Sequence, residues 1–77
     1  MNKDIKNVEN IEYLCNLFEK YNSFLTQVQI QAFKLYFFEN LSYSEIAQVT
    51  ATTRSAAYDS VNKAIKNLLK ISNKIND

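Results

Sequence analysis

Apolar side chains recur between residues 8 and 21 at Val8, Ile11, Leu14, Cys15, Phe18 and Tyr21, intervals of three and four that fit one side of a helix and no strand. Glu9, Glu12, Asn16, Glu19 and Lys20 fall on the opposite side. A second segment opens at Thr26, whose hydroxyl is placed to cap a first turn while Gln29 reaches back, and Ile30, Phe33, Leu35, Phe37 and Phe38 follow. The same capping-box spacing returns in Ser42 and Glu45, which predicts a short third helix ending near Val49. After "TATT" turns the chain, Thr53 is the expected cap of a long last helix from 54 to about 72. Its stripe is Ala57, Val61, Ala64, Ile65, Leu68, Ile71 and Ile75, and the tail after Ser72 is expected to fray.

Composition sharpens this picture. The 77 residues include no Gly and no Pro, so tight turns lack their specialist residues, while 47% hydrophobic content suffices for packed helices. The expectation is one all-α domain over residues 1–77, a four-helix, winged-less helix-turn-helix fold. The helix-turn-helix occupies about 42–71, and the supporting helices occupy about 8–38. A chain this short buries only about 60 to 65% of its unfolded surface, which argues against a large internal active site. With no His, a single Cys15 and no acidic cluster, no zinc, haem or catalytic-triad constellation can be assembled, so the reading assigns no catalytic residue, no metal ligand and no cofactor. Cys15 has no internal disulfide partner, and the opening "MNKDIKNVEN" lacks both the apolar core of a signal peptide and a spanning segment. A reducing cytoplasm, with no membrane insertion, is the expected setting.

Charge is uneven although the net value is only +1. Residues 1–45 carry four Lys against six acids, giving −2, and residues 46–77 carry five bases against two acids, giving +3. An anion would therefore be drawn to the C-terminal part.

A helix-turn-helix needs small and apolar residues where its two helices approach, and Ile46, Ala47, Ala57 and Val61 meet that demand. At about 100° per residue, the side of the last helix opposite its stripe collects Ser55, Asp59, Asn62, Lys63, Lys66 and Lys70, with Arg54 and Tyr58 along one flank. These eight are the candidate contacts for nucleic acid or a partner. Lysines can neutralise phosphates, Asn62 can bond adenine edges, and Arg54 stands at the helix start that usually enters the groove. Asp59 opposes that field; its plain structural role is a pair with Lys63 at i+4, worth roughly 0.3 to 0.5 kcal/mol. By default the lysines are simply a solvated surface. The same caution applies to Phe33, Tyr36, Phe37 and Phe38, which suit core packing better than base stacking because only Lys34 is near. The turn departs from the usual pattern: Ala51 stands where Gly commonly supplies a left-handed residue, and Thr50 and Thr52 replace apolar wedges. Either the turn adopts another geometry or it is locally weak.

"LFEKYNSFLTQVQIQAFKLYFFENLSYSEIA" followed by "TRSAAYDSV" resembles the YlxM family of low-GC Gram-positive bacteria and mollicutes, small proteins similar to region 4 of sigma factors. The resemblance runs from about residue 17 to 70. It rests on Leu17, Phe18, Glu19 and Tyr21, on Leu25 and Thr26 with Gln29, on Leu35 and Tyr36, on Ser42, Glu45, Ile46 and Ala47, and on Arg54, Ala56, Tyr58 and Asp59. The Tyr-Asp pair belongs to the family pattern, whereas family members continue with further helical sequence past the point where this chain ends. The resemblance implies a cytoplasmic regulatory protein of the signal recognition particle pathway, with the particle's GTPase or its RNA as partner. Two other readings stand beside it. One is a transcription regulator binding duplex DNA as a homodimer. The other is a helical interaction module in which Leu68, Leu69, Ile71 and Ile75 extend into a helix-helix seam. Asp59 among the lysines favours a mixed-charge partner surface over strong reading of bases.

Overall fold

The structure, a computed structural model, describes residues 8–75, with side chains from Asn10 to Lys74. Expectations that fall on the N-terminal stretch, on the side chains of Val8, Glu9 and Ile75, and on the last two residues lie outside the described residues. Four α-helices follow one another as α1 (Val8–Tyr21), α2 (Gln27–Phe33), α3 (Tyr43–Thr50) and α4 (Arg54–Ile75), and no strand occurs among the described residues. The fold is all-α with a helix-turn-helix in its second half, as the apolar spacing predicts.

Local chemistry sets the helix boundaries. The Asn22 amide donates to the carbonyl of Phe18 at 2.9 Å, closing α1 before a single 3₁₀ turn, Asn22–Phe24. Leu25 then runs extended into the core, and the expected capping box forms: Gln29 N–H donates to Thr26 Oγ1 and Thr26 N–H to Gln29 Oε1, both at 3.2 Å. The same Gln29 oxygen accepts from the Asn67 amide at 3.3 Å, which ties α2 to α4. At α3, Glu45 N–H donates to Ser42 Oγ at 3.1 Å and Ser42 N–H to Glu45 Oε1 at 2.8 Å. Thr53 Oγ1 accepts from Ala56 N–H at 3.0 Å, as expected of the α4 cap.

Between α2 and α3 the chain does something the apolar spacing did not announce. Lys34–Phe38 forms a π-turn, with Glu39 N–H donating to the carbonyl of Lys34 at 3.0 Å, and left-handed Asn40 (φ 58°) ends it. The wider turn brings residues five apart closer to one side, so Phe33, Phe37 and Phe38 gather where an α-turn would splay them. Phe33 stacks on Phe18 of α1 (4.4 Å between centroids, 1° between planes), and Phe38 meets both rings edge-on. Phe38 nevertheless stays about half exposed, so its packing is peripheral.

Helix α4 is central: it packs against α1, α2 and α3, burying Ala57, Val61, Ala64, Ile65 and Leu68. Three details correct the expected stripes. On α1 the buried side is turned toward Leu17, which is buried, with Cys15 at its margin. On α2 the small Ala32 is buried, and in the π-turn after it the phenol Tyr36 is buried while Leu35 and Phe37 are partly covered. On α4 the helix continues to Ile75 with no end at Ser72, and Ser72 is buried, its hydroxyl 3.4 Å from that of Tyr13, with Ile71 only half-buried beside it. A hydroxyl satisfied by a partner can occupy such a position without the penalty of an unpaired one.

Candidate functional site

The α3–α4 connection decides how the last helix is presented. Ala51 is left-handed (φ 56°, ψ 45°), Thr52 N–H donates to the carbonyl of Ala47 at 2.9 Å, and Ala51 N–H reaches that of Gln48 at 3.4 Å. That pair of bonds is the Schellman pattern normally given to Gly. The turn therefore has the usual geometry despite its alanine, and the alternative of a different geometry is not what the chain adopts. The hydroxyls at the wedge positions serve the turn: Thr50 Oγ1 donates to the carbonyl of Ile46 at 2.8 Å and lies 2.9 Å from Thr52 Oγ1. Where apolar wedges would sit, a small cavity of about 130 Å³ remains, lined by Ile46, Thr50, Thr52 and Ala57 with neighbours from α2. Ile46, Ala47, Ala57 and Val61 are all buried, as the close approach of the two helices requires.

Seven of the eight candidate side chains separate into three groups on α4, and Asn62 stands apart. Lys63 Nζ lies 3.1 Å from Asp59 Oδ2, both side chains about 60% exposed, which is the i+4 pair expected from the sequence. Lys66 and Lys70 are exposed on the following turns, and neither is in an ion pair among the described residues. The helix's extension to Ile75 adds a cation the sequence reading left out, Lys74, one turn past Lys70 and also exposed. Arg54, Ser55 and Tyr58 come together at the helix start, around a shallow concavity of about 260 Å³ whose fourth wall is Tyr43. Asn62 is half-buried and its amide donates to the carbonyl of Tyr58 at 2.8 Å, so part of its capacity to bond a base edge is already engaged within the helix.

Tyr43 is the site residue that sequence reasoning missed. It opens α3 directly after the Ser42 cap, stacks on Tyr36 (4.9 Å, 3°) and meets Tyr58 edge-on (5.1 Å, 78°). Its hydroxyl is enclosed beside Tyr36. Burial, helped by the neighbouring Tyr43, pushes the Tyr36 phenol above its ordinary range, so that ring stays neutral. The only sequence signal for Tyr43 was the capping box, which fixes its place at the first turn but not the ring it touches. Of the four residues considered for a dimer seam, Leu68 is fully buried in the chain's own core, Ile71 is half-buried, Leu69 is exposed, and Ile75 lies outside the described side chains. Among the described residues no group of His, Cys, Asp and Glu could hold a metal, and no helix is long and apolar enough to cross a membrane.

A family model described as "Putative helix-turn-helix protein, YlxM / p13 like" matches residues 8–76. A UPF0122 protein of Clostridium acetobutylicum is 40% identical over 63 residues, covering 82% of this chain and 54% of the relative. One from Ureaplasma urealyticum serovar 10 is 41% identical over 58 residues, with 75% and 59% covered, and one from Mycoplasma capricolum is 42% identical over 62 residues, with 80% and 55% covered. The chain thus spans between half and two thirds of the length of these relatives. No solved structure matches it significantly. A capped α3, a left-handed turn and a long α4 supply the helix-turn-helix that the family description names, and the match runs the length of all four helices: the chain belongs to the UPF0122 family of YlxM/p13-like helix-turn-helix proteins.

Proposed function

We propose that the chain is a regulatory helix-turn-helix module of the signal recognition particle pathway, acting through the outer side of α4 on the particle's RNA or its GTPase. The pathway comes from the sequence resemblance to the YlxM family. The mode of action rests on one observation: Arg54, Lys66, Lys70 and Lys74 are exposed along α4 with no ion pair among the described residues, while its one carboxylate, Asp59, is neutralised by Lys63. The three lysines on one side, with Arg54 on the flank at the helix start, give a field that attracts phosphates or acidic side chains, tempered so that non-specific affinity stays modest. A cytoplasmic setting accompanies this reading.

The test is a binding titration of the full chain against the purified particle RNA and GTPase over a range of salt. The double substitution Lys66→Ala and Lys70→Ala should weaken binding and lower the salt slope by about 1.5 to 2 units for a nucleic-acid partner. Asp59→Asn, which releases Lys63, should tighten binding and raise that slope by up to about one unit. If neither component binds and GTP hydrolysis by the particle is unchanged, the reading is wrong.

The α3–turn–α4 geometry also favours a second reading, a regulator that binds duplex DNA as a homodimer, with Arg54 and Ser55 at the groove-entering end. It requires sequence-specific duplex binding that Asn62→Ala relaxes at one base pair. Absence of duplex binding in low salt excludes it.

A further inference from the structure

The rings of this protein form a connected run from the core to the surface. Phe18 stacks on Phe33, Phe33 packs on Phe37 at 4.6 Å, Phe37 meets Tyr36 edge-on at 4.9 Å, Tyr36 stacks on Tyr43, and Tyr43 meets Tyr58 edge-on at 5.1 Å. The inner rings are buried or partly covered, but the last, Tyr58, is 48% exposed. Its exposed part borders the concavity shared with Arg54 and Ser55. An aromatic ring left half in water, held by another ring and sharing a concavity with an arginine, combines the two requirements of a base-stacking site: a π-surface fixed in advance and a cation nearby for the phosphate.

We infer that Tyr58, Arg54 and Ser55, with Tyr43 as support, form a subsite for an unpaired nucleobase and its adjoining phosphate, so that the α4 side prefers single-stranded nucleic acid over a duplex. This deepens the reading above and rests on it: the lysines supply attraction along the strand, and Tyr58 takes a base that a duplex would keep stacked inside. In this role Arg54 neutralises the phosphate next to the stacked base, and the Ser55 hydroxyl is a hydrogen-bond donor or acceptor at the rim. Asp59, one residue beyond Tyr58, is paired with Lys63 one turn further along the helix.

The experiment uses the full chain and labelled unstructured oligonucleotides of about 12 nucleotides, in RNA and DNA forms, with duplexes of the same sequence, followed by fluorescence anisotropy at fixed salt. Single strands should bind more tightly than duplexes, and the RNA and DNA arms identify which strand the site takes. Tyr58→Ala should weaken single-strand binding by about 5- to 150-fold, the range seen for loss of one base-aromatic stack, and change duplex binding less than about twofold. Tyr58→Phe, which keeps the ring, should bind within about twofold of the parent. The chain has no Trp, so Tyr58→Trp gives one indole whose emission should be quenched by the single strand and not by the duplex. A circular dichroism melt of each variant checks that it is folded. If Lys66→Ala weakens binding while Tyr58→Ala leaves single-strand affinity unchanged, the subsite is overturned and the cationic surface stands. If Tyr58→Ala weakens single strand and duplex equally, the preference for an unpaired base is overturned. If no oligonucleotide binds, the subsite and the nucleic-acid form of the proposed function fall together, leaving the GTPase arm to its own titration.

Discussion

Ala51 holds a left-handed conformation with a Cβ in place, at a cost of about 1–2 kcal/mol. Asn40, the other residue with positive φ, belongs to a type that tolerates it better. The difference yields a direct expectation. Ala51→Gly removes the steric cost but adds about 0.5–1 kcal/mol of backbone entropy loss on folding. A net stabilisation of about 0.5–1 kcal/mol should result, seen as a rise of roughly 2–8 °C in the thermal midpoint by circular dichroism. An unchanged or lower midpoint would mean that residue 51 is not left-handed in solution. At the same scale, Asp59 no longer contradicts the cationic surface, because its charge is matched within one helical turn.

Among the elements, α4 carries the proposed subsite at its first turn and its buried packing in its middle. The middle is fixed by Val61, Ala64 and Leu68, none of which is measurably exposed. The first turn carries Arg54, Ser55 and Tyr58 on the exposed side, and the Thr53 hydroxyl accepts from Ala56 N–H to cap it. Thr53→Ala should cost about 1 kcal/mol, lowering the midpoint by roughly 4–8 °C. Hydrogen exchange should be faster at the Ala56 amide and little changed at Ile65, since fraying is confined to the uncapped end. Equal acceleration at both would show that the cap supports the whole helix. The π-turn is the other element with a distinct consequence: it joins the aromatic side of α2 to Tyr36 and so to Tyr43, which an unbroken α-helix would not align in the same way.

For the molecule as a whole, one buried and one partly buried acid make stability depend on alkaline pH. Cys15, raised by burial and then by Glu19, and Tyr36, raised by burial and then by Tyr43, both hold their protons more tightly when folded than their ordinary values of 9.0 and 10.0 imply. A raised folded value means that the stabilisation is present in full below the unfolded value and is lost as pH climbs through the folded one. The urea midpoint should therefore show no loss from these two groups between about pH 7 and 8.5 and fall above about pH 9 to 10. Tyr36→Phe should blunt the part of the fall above pH 10, whereas a variant as pH-sensitive as the parent would assign that fall to other groups.

The sequence alone determined whatever is settled within about one helical turn. The caps at Thr26, Ser42 and Thr53, the α4 stripe from Ala57 to Leu68 and the Asp59–Lys63 pair join residues one to four apart, and their bonds form in nearly any tertiary setting. The family and its helix-turn-helix were legible for the same reason, since small and apolar residues at fixed offsets announce two helices in close approach. Of the candidate site, the outward row of α4 was legible and its organisation was not. Tertiary structure decided that Leu17 and Ser72 turn inward, that Gln29 receives Asn67, and that Tyr43 stands behind Tyr58. Each of these depends on how far one helix is rotated against another, and that rotation is fixed only when side chains from several helices compete for the same volume. Helical spacing gives the direction of a side chain around its own axis; the neighbour it meets is chosen by the packing of all four.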